Sequence, residues 1–371
     1  MLSTVAVRGY RSLRDVVLPL HRLTVVTGAN GSGKSSVYRS LRLLADCGRG
    51  QVIGSLAREG GLQSALWAGQ GTRNRPVELE IGYAADDFGY IADLGLPVMA
   101  GAQSAFALDP ELKREVVFAG PVLRPSSTLV QRAGPLAQAS AESGRGFDEL
   151  TRSLPTYRSV LAEFAHPGQL PELAAVRDRL RDWRFYDGFR VDAAAPSRQP
   201  QVGTRTPVLA EDGSDLAAAL QTIIETGFDD LAEAVGGAFD GATVTVTATD
   251  GLFDVSLRQP GLMRPLRTAE LSDGTLRFLL WAAALLSPAP PSLMVLNEPE
   301  TSLHPDLVPP LAGLIRTAAR TTQVVVVTHS RRLVDALDAD AEPIELVKRD
   351  GATTVADQGL LSAPAWHWGS R

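Results

Sequence analysis

Leu23-Thr24-Val25-Val26-Thr27-Gly28-Ala29-Asn30-Gly31-Ser32-Gly33-Lys34-Ser35-Ser36 is the stretch from which the fold is read. Residues 23–27 form a short apolar run of the kind found in a buried strand. Residues 28–33 break it. A helix is expected over about 34–45, with Val37, Leu41 and Leu44 on one face and Gly48 and Gly50 ending it. The spacing Gly-x-x-x-x-Gly-Lys-Ser between a strand and a helix is the arrangement that cradles phosphate. Its glycines let backbone N–H groups of Asn30, Gly31, Ser32, Gly33, Ser35 and Ser36 turn toward anionic oxygens, and the helix N-terminus adds partial positive charge. Lys34 is expected to reach the terminal phosphates, and the Ser35 hydroxyl to hold Mg²⁺.

The 371-residue chain carries 44% hydrophobic and 21% charged residues, ordinary globular values that exclude wholesale disorder. The lone cysteine, Cys47, rules out an internal disulfide framework and fits a reducing compartment. The longest apolar run, 278–296, is broken by Ser287, Pro288, Pro290 and Pro291, so no membrane span is expected. Arg8, Arg11 and Arg14 come too early for a signal-peptide core. These features predict a cytoplasmic protein with no membrane partner. The net charge of −6 disfavours a globally basic nucleic-acid binder.

The expected fold class is α/β. Residues 76–119 read as an antiparallel β meander through VELEIGY, FGYIADLGL and REVVFAG. The chain changes character over about 123–213, where Pro, Ser, Ala and Gly rise. The expected organisation is an N-terminal half-core over 1–122, an inserted, mainly helical, lid-like subdomain over 123–213, and a C-terminal half-core over 214–371.

Three further motifs carry chemistry. Ser292-Leu-Met-Val-Leu-Asn297-Glu298-Pro299-Glu300 is an apolar strand ending in polar and acidic residues, with Pro305 opening a helix at the right distance. Glu298 is placed to orient or deprotonate an attacking water. Leu271-Ser272-Asp273-Gly274-Thr275 precedes a helix, and Ser272 on its own reads equally as a helix N-cap. His329 follows the apolar run 324–327; alone, such a histidine is more often structural. The segment 177–186, with arginines and aromatics interleaved, reads as a core-packed helix whose arginines pair with Asp178 and Asp182, in preference to a nucleic-acid contact.

The order of these motifs resembles the ABC-type ATPases, and more closely the RecF/SMC-like branch, the stand-alone AAA-type ATPases related to the ATPase part of OLD-family nucleases. The opening VRGYRSLRDVVLPL and the segment LNEPETSLHP carry that resemblance, with looser support from WRFYDGFR and LAEDGSDLAAAL. It implies a P-loop NTPase core, ATP and Mg²⁺ as ligands, and ATP sandwiched between two subunits. Ser272, Asp273 and Gly274 would act in trans as the signature, residues 301–304 would lie at the dimer seam, and His329 would sit near the γ-phosphate. Arg11 and Ser12 match positions that touch nucleotide. Gln63 is the candidate Q-loop glutamine for Mg²⁺, a plain surface glutamine being the alternative. The resemblance implies a role in DNA repair or maintenance, or in phage defence, on DNA or with a nuclease or other effector protein. No nuclease domain is expected in the stretch after His329.

Two departures stand out. Asp273 replaces a glycine common in transporter signatures, which argues against a transporter subunit. Asn297 stands where aspartate is usual; a neutral amide offers Mg²⁺ one carbonyl oxygen and no charge. Asn297→Asp is therefore expected to raise turnover, unless the amide donates a hydrogen bond to Glu298 or Glu300. The alternative function is a nucleotide-gated dimerising scaffold with little hydrolysis, with a transporter nucleotide-binding subunit as a third, weaker option.

Overall fold

The computed structural model describes residues 1–69, 78–97, 105–141, 143, 146–227, 229–359 and 362–369. The chain divides into two compact units. The first comprises Met1–His21, Gly28–Trp183 and Ile344–Arg371; the second comprises Arg22–Thr27 and Arg184–Pro343. Pro76 and Val77, where the expected meander begins, lie outside the described residues.

The first unit is built on an eight-stranded antiparallel sheet in the order Leu13–Pro19, Leu2–Tyr10, Leu79–Ala85, Phe88–Gly95, Glu111–Ala119, Thr128–Ala133, Leu136–Ser140 and Phe147–Thr151. Every residue of Leu79–Ala85 is buried, so this strand is covered on both faces. Ala6, Ala84, Ile91, Val116 and Phe118 share one face with Trp368 and the half-buried Trp366. On the other face, the Tyr83 ring meets Trp183 edge-on with centroids 5.7 Å apart. The Glu115 carboxylate on that face has no solvent exposure and is fully occupied. It accepts from Arg132 Nη1 at 2.9 Å, Tyr90 Oη at 2.7 Å, the Val160 N–H at 3.0 Å and the Ser159 hydroxyl. Charge that deep is tolerated only when paired and hydrogen-bonded in this way.

Residues 123–213, expected to be mainly helical, also contribute the last three strands of that sheet. Their sequence, rich in Ala, Gln and Ser, has little intrinsic β preference. Pairing with Glu111–Ala119 and the turn at Gly134 (φ 57°) decide the conformation. The helix Pro171–Asp182 lies in the same stretch. Its arginines make structural contacts, and of the two expected acidic partners Asp178 takes one of them. Arg179 grips the Asp87 carboxylate at 2.6 Å, Arg181 donates to the Gly48 carbonyl at 2.9 Å, Arg177 pairs with Asp178 at 2.8 Å, and Trp183 is buried.

In the second unit the strands Arg184–Tyr186, Leu293–Asn297 and Gln323–Val327 and residues 23–26 lie side by side in that order, all parallel. Parallel strands are buried on both faces and read as unbroken apolar runs, which is why 293–296 and 324–327 show no alternation. The helices Asp273–Leu285 and Val308–Ala319 bury their apolar faces in the same core. A small antiparallel sheet of Gln201–Val202, Leu252–Arg258, Thr243–Thr249 and Leu266–Arg267 completes the unit. Among the described residues no helix is long and apolar enough to cross a membrane.

Candidate functional site

The phosphate-loop sequence folds as its residues require. Gly28, Gly31 and Gly33 hold φ values of 147°, 77° and 111°, a region that side chains other than glycine enter at a cost. At Gly33 space adds a second constraint: a Cβ there would fall 2.2 Å from Thr353 Oγ1. The helix Lys34–Arg49 begins at once, with Gly33 as an N-cap that offers no side-chain hydrogen bond. Its first backbone N–H groups therefore have no capping side chain, the condition under which a helix start takes an anion. Lys34 is 6% exposed and donates from Nζ to the carbonyls of Gly28 at 2.7 Å and Ala29 at 3.1 Å. Ser32 Oγ is buried with no hydrogen-bond partner, and Ser35 is exposed. An unpaired buried hydroxyl, an uncapped helix start and a lysine folded over the loop fit a polyphosphate.

Ser12 is tied to this loop through Thr353, a residue that sequence reasoning missed. Thr353 Oγ1 donates to the Ser32 carbonyl at 2.7 Å and lies 2.8 Å from Ser12 Oγ, and the Thr353 N–H donates to the Ser12 carbonyl at 2.8 Å. The Arg11 guanidinium is held by Glu59, with Nη2 2.6 Å from Oε2, and Tyr10 Oη donates to the same carboxylate at 2.7 Å. Burial and that carboxylate push the Tyr10 hydroxyl well above its ordinary range. Gln63 is exposed on the short helix Leu62–Ala65 and makes no hydrogen bond among the described residues.

In the second unit the strand ends line up. Val327 stands between Asn297 and Val26 in the register, so Asn297, Thr328 and Thr27, which leads into the glycine loop, finish at one edge. The Glu298 N–H donates to the Val327 carbonyl at 2.7 Å, and Glu298 adopts φ 47°, a left-handed backbone unusual for a side chain of its size. His329 Nδ1 lies 3.0 Å from Glu298 Oε1. The structure thus joins the expected base and the expected histidine directly. Thr328 Oγ1 donates to Glu300 Oε1 at 2.5 Å, and burial pushes the Glu300 carboxyl above the ordinary carboxylate range. Asn297 Nδ2 donates to Asp187 Oδ1 at 2.7 Å. Its partner is neither Glu298 nor Glu300.

The signature segment is held from below. Ser272 caps the helix Asp273–Leu285, its Oγ accepting from the Thr275 N–H at 3.1 Å. Asp273 receives Arg198 Nη2 at 2.6 Å. The buried Arg198 also donates to the carbonyls of Val191 at 2.8 Å, Thr268 at 2.7 Å and Leu271 at 2.9 Å. This ion pair gives a physical reason for aspartate at the second signature position. Arg198→Met should strip those carbonyls of their donor. A buried unsatisfied group costs about 1–3 kcal/mol, so the urea midpoint should fall by an amount equivalent to roughly 3 kcal/mol. An unchanged midpoint would mean that the backbone alone holds this loop.

No curated protein sequence matches the chain. Among solved structures, an SMC head bound to the C-winged helix domain of ScpA superposes with a TM-score of 0.52 at 15% identity, covering 97% of this chain and 98% of the other. An SMC head with an extended coiled coil, derived from Pyrococcus furiosus and bound to the C-terminal domain of ScpA, gives a TM-score of 0.50 at 16% identity, covering 98% and 97%. At such identities the likeness is one of fold: an SMC-head, ABC-type P-loop ATPase fold. The family model described as "AAA domain, putative AbiEii toxin, Type IV TA system" matches residues 23–335, which include the glycine loop, the signature, Glu298 and His329, and the chain belongs to that family.

Proposed function

We propose that this protein binds ATP with Mg²⁺ at the loop 28–36 and hydrolyses it as a homodimer, the signature Ser272, Asp273 and Gly274 of one copy facing nucleotide held by the other. The observation that carries the reading is the glycine loop itself, with its uncapped helix start, unpaired Ser32 hydroxyl and buried Lys34. Ser35 and Asn297 are the residues that would hold Mg²⁺. Asn297 commits its Nδ2 to Asp187, which leaves its Oδ1 as the oxygen donor a hard cation takes. When bound, Mg²⁺ would offset phosphate charge. Gln63 has no comparable support.

Glu298 serves as the base, accepting a proton from the attacking water, and the His329 imidazole at 3.0 Å orients its carboxylate. Arg11 is committed to Glu59, so Ser12 is the better supported of the two early candidates. The cellular role we favour is cytoplasmic, in DNA repair or maintenance or in phage defence, with a partner effector chain. This rests on the family, since fold alone does not fix function.

The test is phosphate release from ATP by the purified protein, with and without DNA, together with its mass in solution. Mg²⁺-dependent release and a doubling of mass with ATP are expected. A protein that binds ATP and doubles in mass without releasing phosphate would instead be the nucleotide-gated scaffold. A protein that ignores ATP in both assays overturns the reading.

A further inference from the structure

The strand position that carries aspartate in the resembling ATPases is Asn297 here, and a carboxylate stands one strand away. Arg184–Tyr186 runs parallel beside Leu293–Asn297 with Tyr186 opposite Leu296. The next residue along each, Asp187 and Asn297, therefore ends its strand beside the other. The contact is directional: Asn297 Nδ2 donates to Asp187 Oδ1 at 2.7 Å. An amide can make this bond and a carboxylate cannot.

Asp187 is held firmly. Tyr186 before it is fully buried, and its hydroxyl donates to the Leu209 carbonyl at 2.9 Å. After the turn at Gly188 (φ 66°), Phe189 is buried against Trp281 with ring centroids 4.9 Å apart. Asp187 is an exposed carboxylate between two core anchors. Among the described residues, Asn297 is its only hydrogen-bond partner, and the Asp187 carboxylate forms no ion pair. A lone surface aspartate needs no such placement to stay soluble. An aspartate fixed at the edge where parallel strands end, with one oxygen oriented by an amide, is placed to receive a cation.

We propose that Asp187 supplies the negative charge of the Mg²⁺ site, with Asn297 as the residue that orients it. The carboxylate and amide have exchanged places between neighbouring strands. This rests on the ATP-binding reading above. It also reverses the expectation for Asn297→Asp, which would set two carboxylates against each other in place of a donor and an acceptor.

The experiment is a titration of Mg²⁺ against binding of a fluorescent ATP analogue, beginning in EDTA, on wild type, D187N and the exchanged double variant D187N/N297D. With each protein's own binding in EDTA as its baseline, the Mg²⁺ midpoint of D187N should rise by about tenfold or more over wild type, since charge count sets the affinity of such sites. The double variant restores one charge and one amide, so its midpoint should return to within about threefold of wild type. A D187N midpoint equal to that of wild type, in a variant that binds the analogue, overturns the proposal and leaves Asp187 a structural partner. If D187N melts below the assay temperature, the double variant decides, and a midpoint that stays about tenfold high overturns the proposal. Wild type that never binds the analogue would sink the ATP reading itself, a result distinct from either.

Discussion

Lys34→Ala should reduce nucleotide affinity by about 10- to 150-fold, because a hydrogen bond to a charged group contributes roughly 1.5–3 kcal/mol and the ammonium supplies the loop's only side-chain cation. The side chain is 6% exposed and bridges the Gly28 and Ala29 carbonyls. Its removal takes a positive charge from the site and a brace from the loop. The loop should survive, since Thr353 also holds it, donating from Oγ1 to the Ser32 carbonyl at 2.7 Å. Binding of a fluorescent nucleotide, read beside thermal melting, checks this. A variant that melts like wild type and binds nucleotide equally well removes the loop from the site.

Glu298 permits a sharper separation of chemistry from structure, because its backbone is strained as well as its side chain placed. A left-handed φ costs an L-residue roughly 1–2 kcal/mol, and Glu298 holds φ 47°. Glycine relieves that cost but loses about 0.5–1 kcal/mol to its own flexibility. Glu298→Gly should therefore be as stable as wild type or slightly more so. Its turnover should nevertheless fall by about 10²–10⁴, the usual contribution of a positioned base. Glu298→Gln keeps the strain and an oxygen within reach of His329, and should lose turnover equally while retaining nucleotide and the ATP-bound dimer. Stability and phosphate release, measured on both variants, test the idea. A glycine variant that is clearly destabilised would mean that the strain is offset by contacts other than those at the site. A glutamine variant with wild-type turnover would remove Glu298 as the base.

The backbone of the site was legible because its signals are local. A glycine loop between an apolar run and a helix specifies its own φ values, and nothing remote is needed to see that Lys34 opens the helix Lys34–Arg49. The same holds for the strands Leu79–Ala85, Phe88–Gly95 and Glu111–Ala119, which were expected as a meander and form one. Ser272 could be seen as an N-cap three residues before Thr275, and it is one. The strands of 128–151 were missed for the converse reason. Their residues have weak local preference, and an edge already built by other strands recruits them.

Local sequence signals specify the elements that carry the chemistry and the order in which they occur. Tertiary structure alone decided which side chains work as pairs. Thr353 lies under Gly33, Arg198 holds Asp273, Glu59 captures Arg11, and Asp187 receives the Asn297 amide. Each of these partners is remote in the chain, and each contact depends on which strands are neighbours and in what register. Local propensity depends on a few adjacent dihedrals, whereas strand order is settled by burial of the whole sheet. A substitution such as Asn297 therefore looks like the loss of a charge when only its own strand is read. Its meaning changes once the strand Arg184–Tyr186 is known to run beside it.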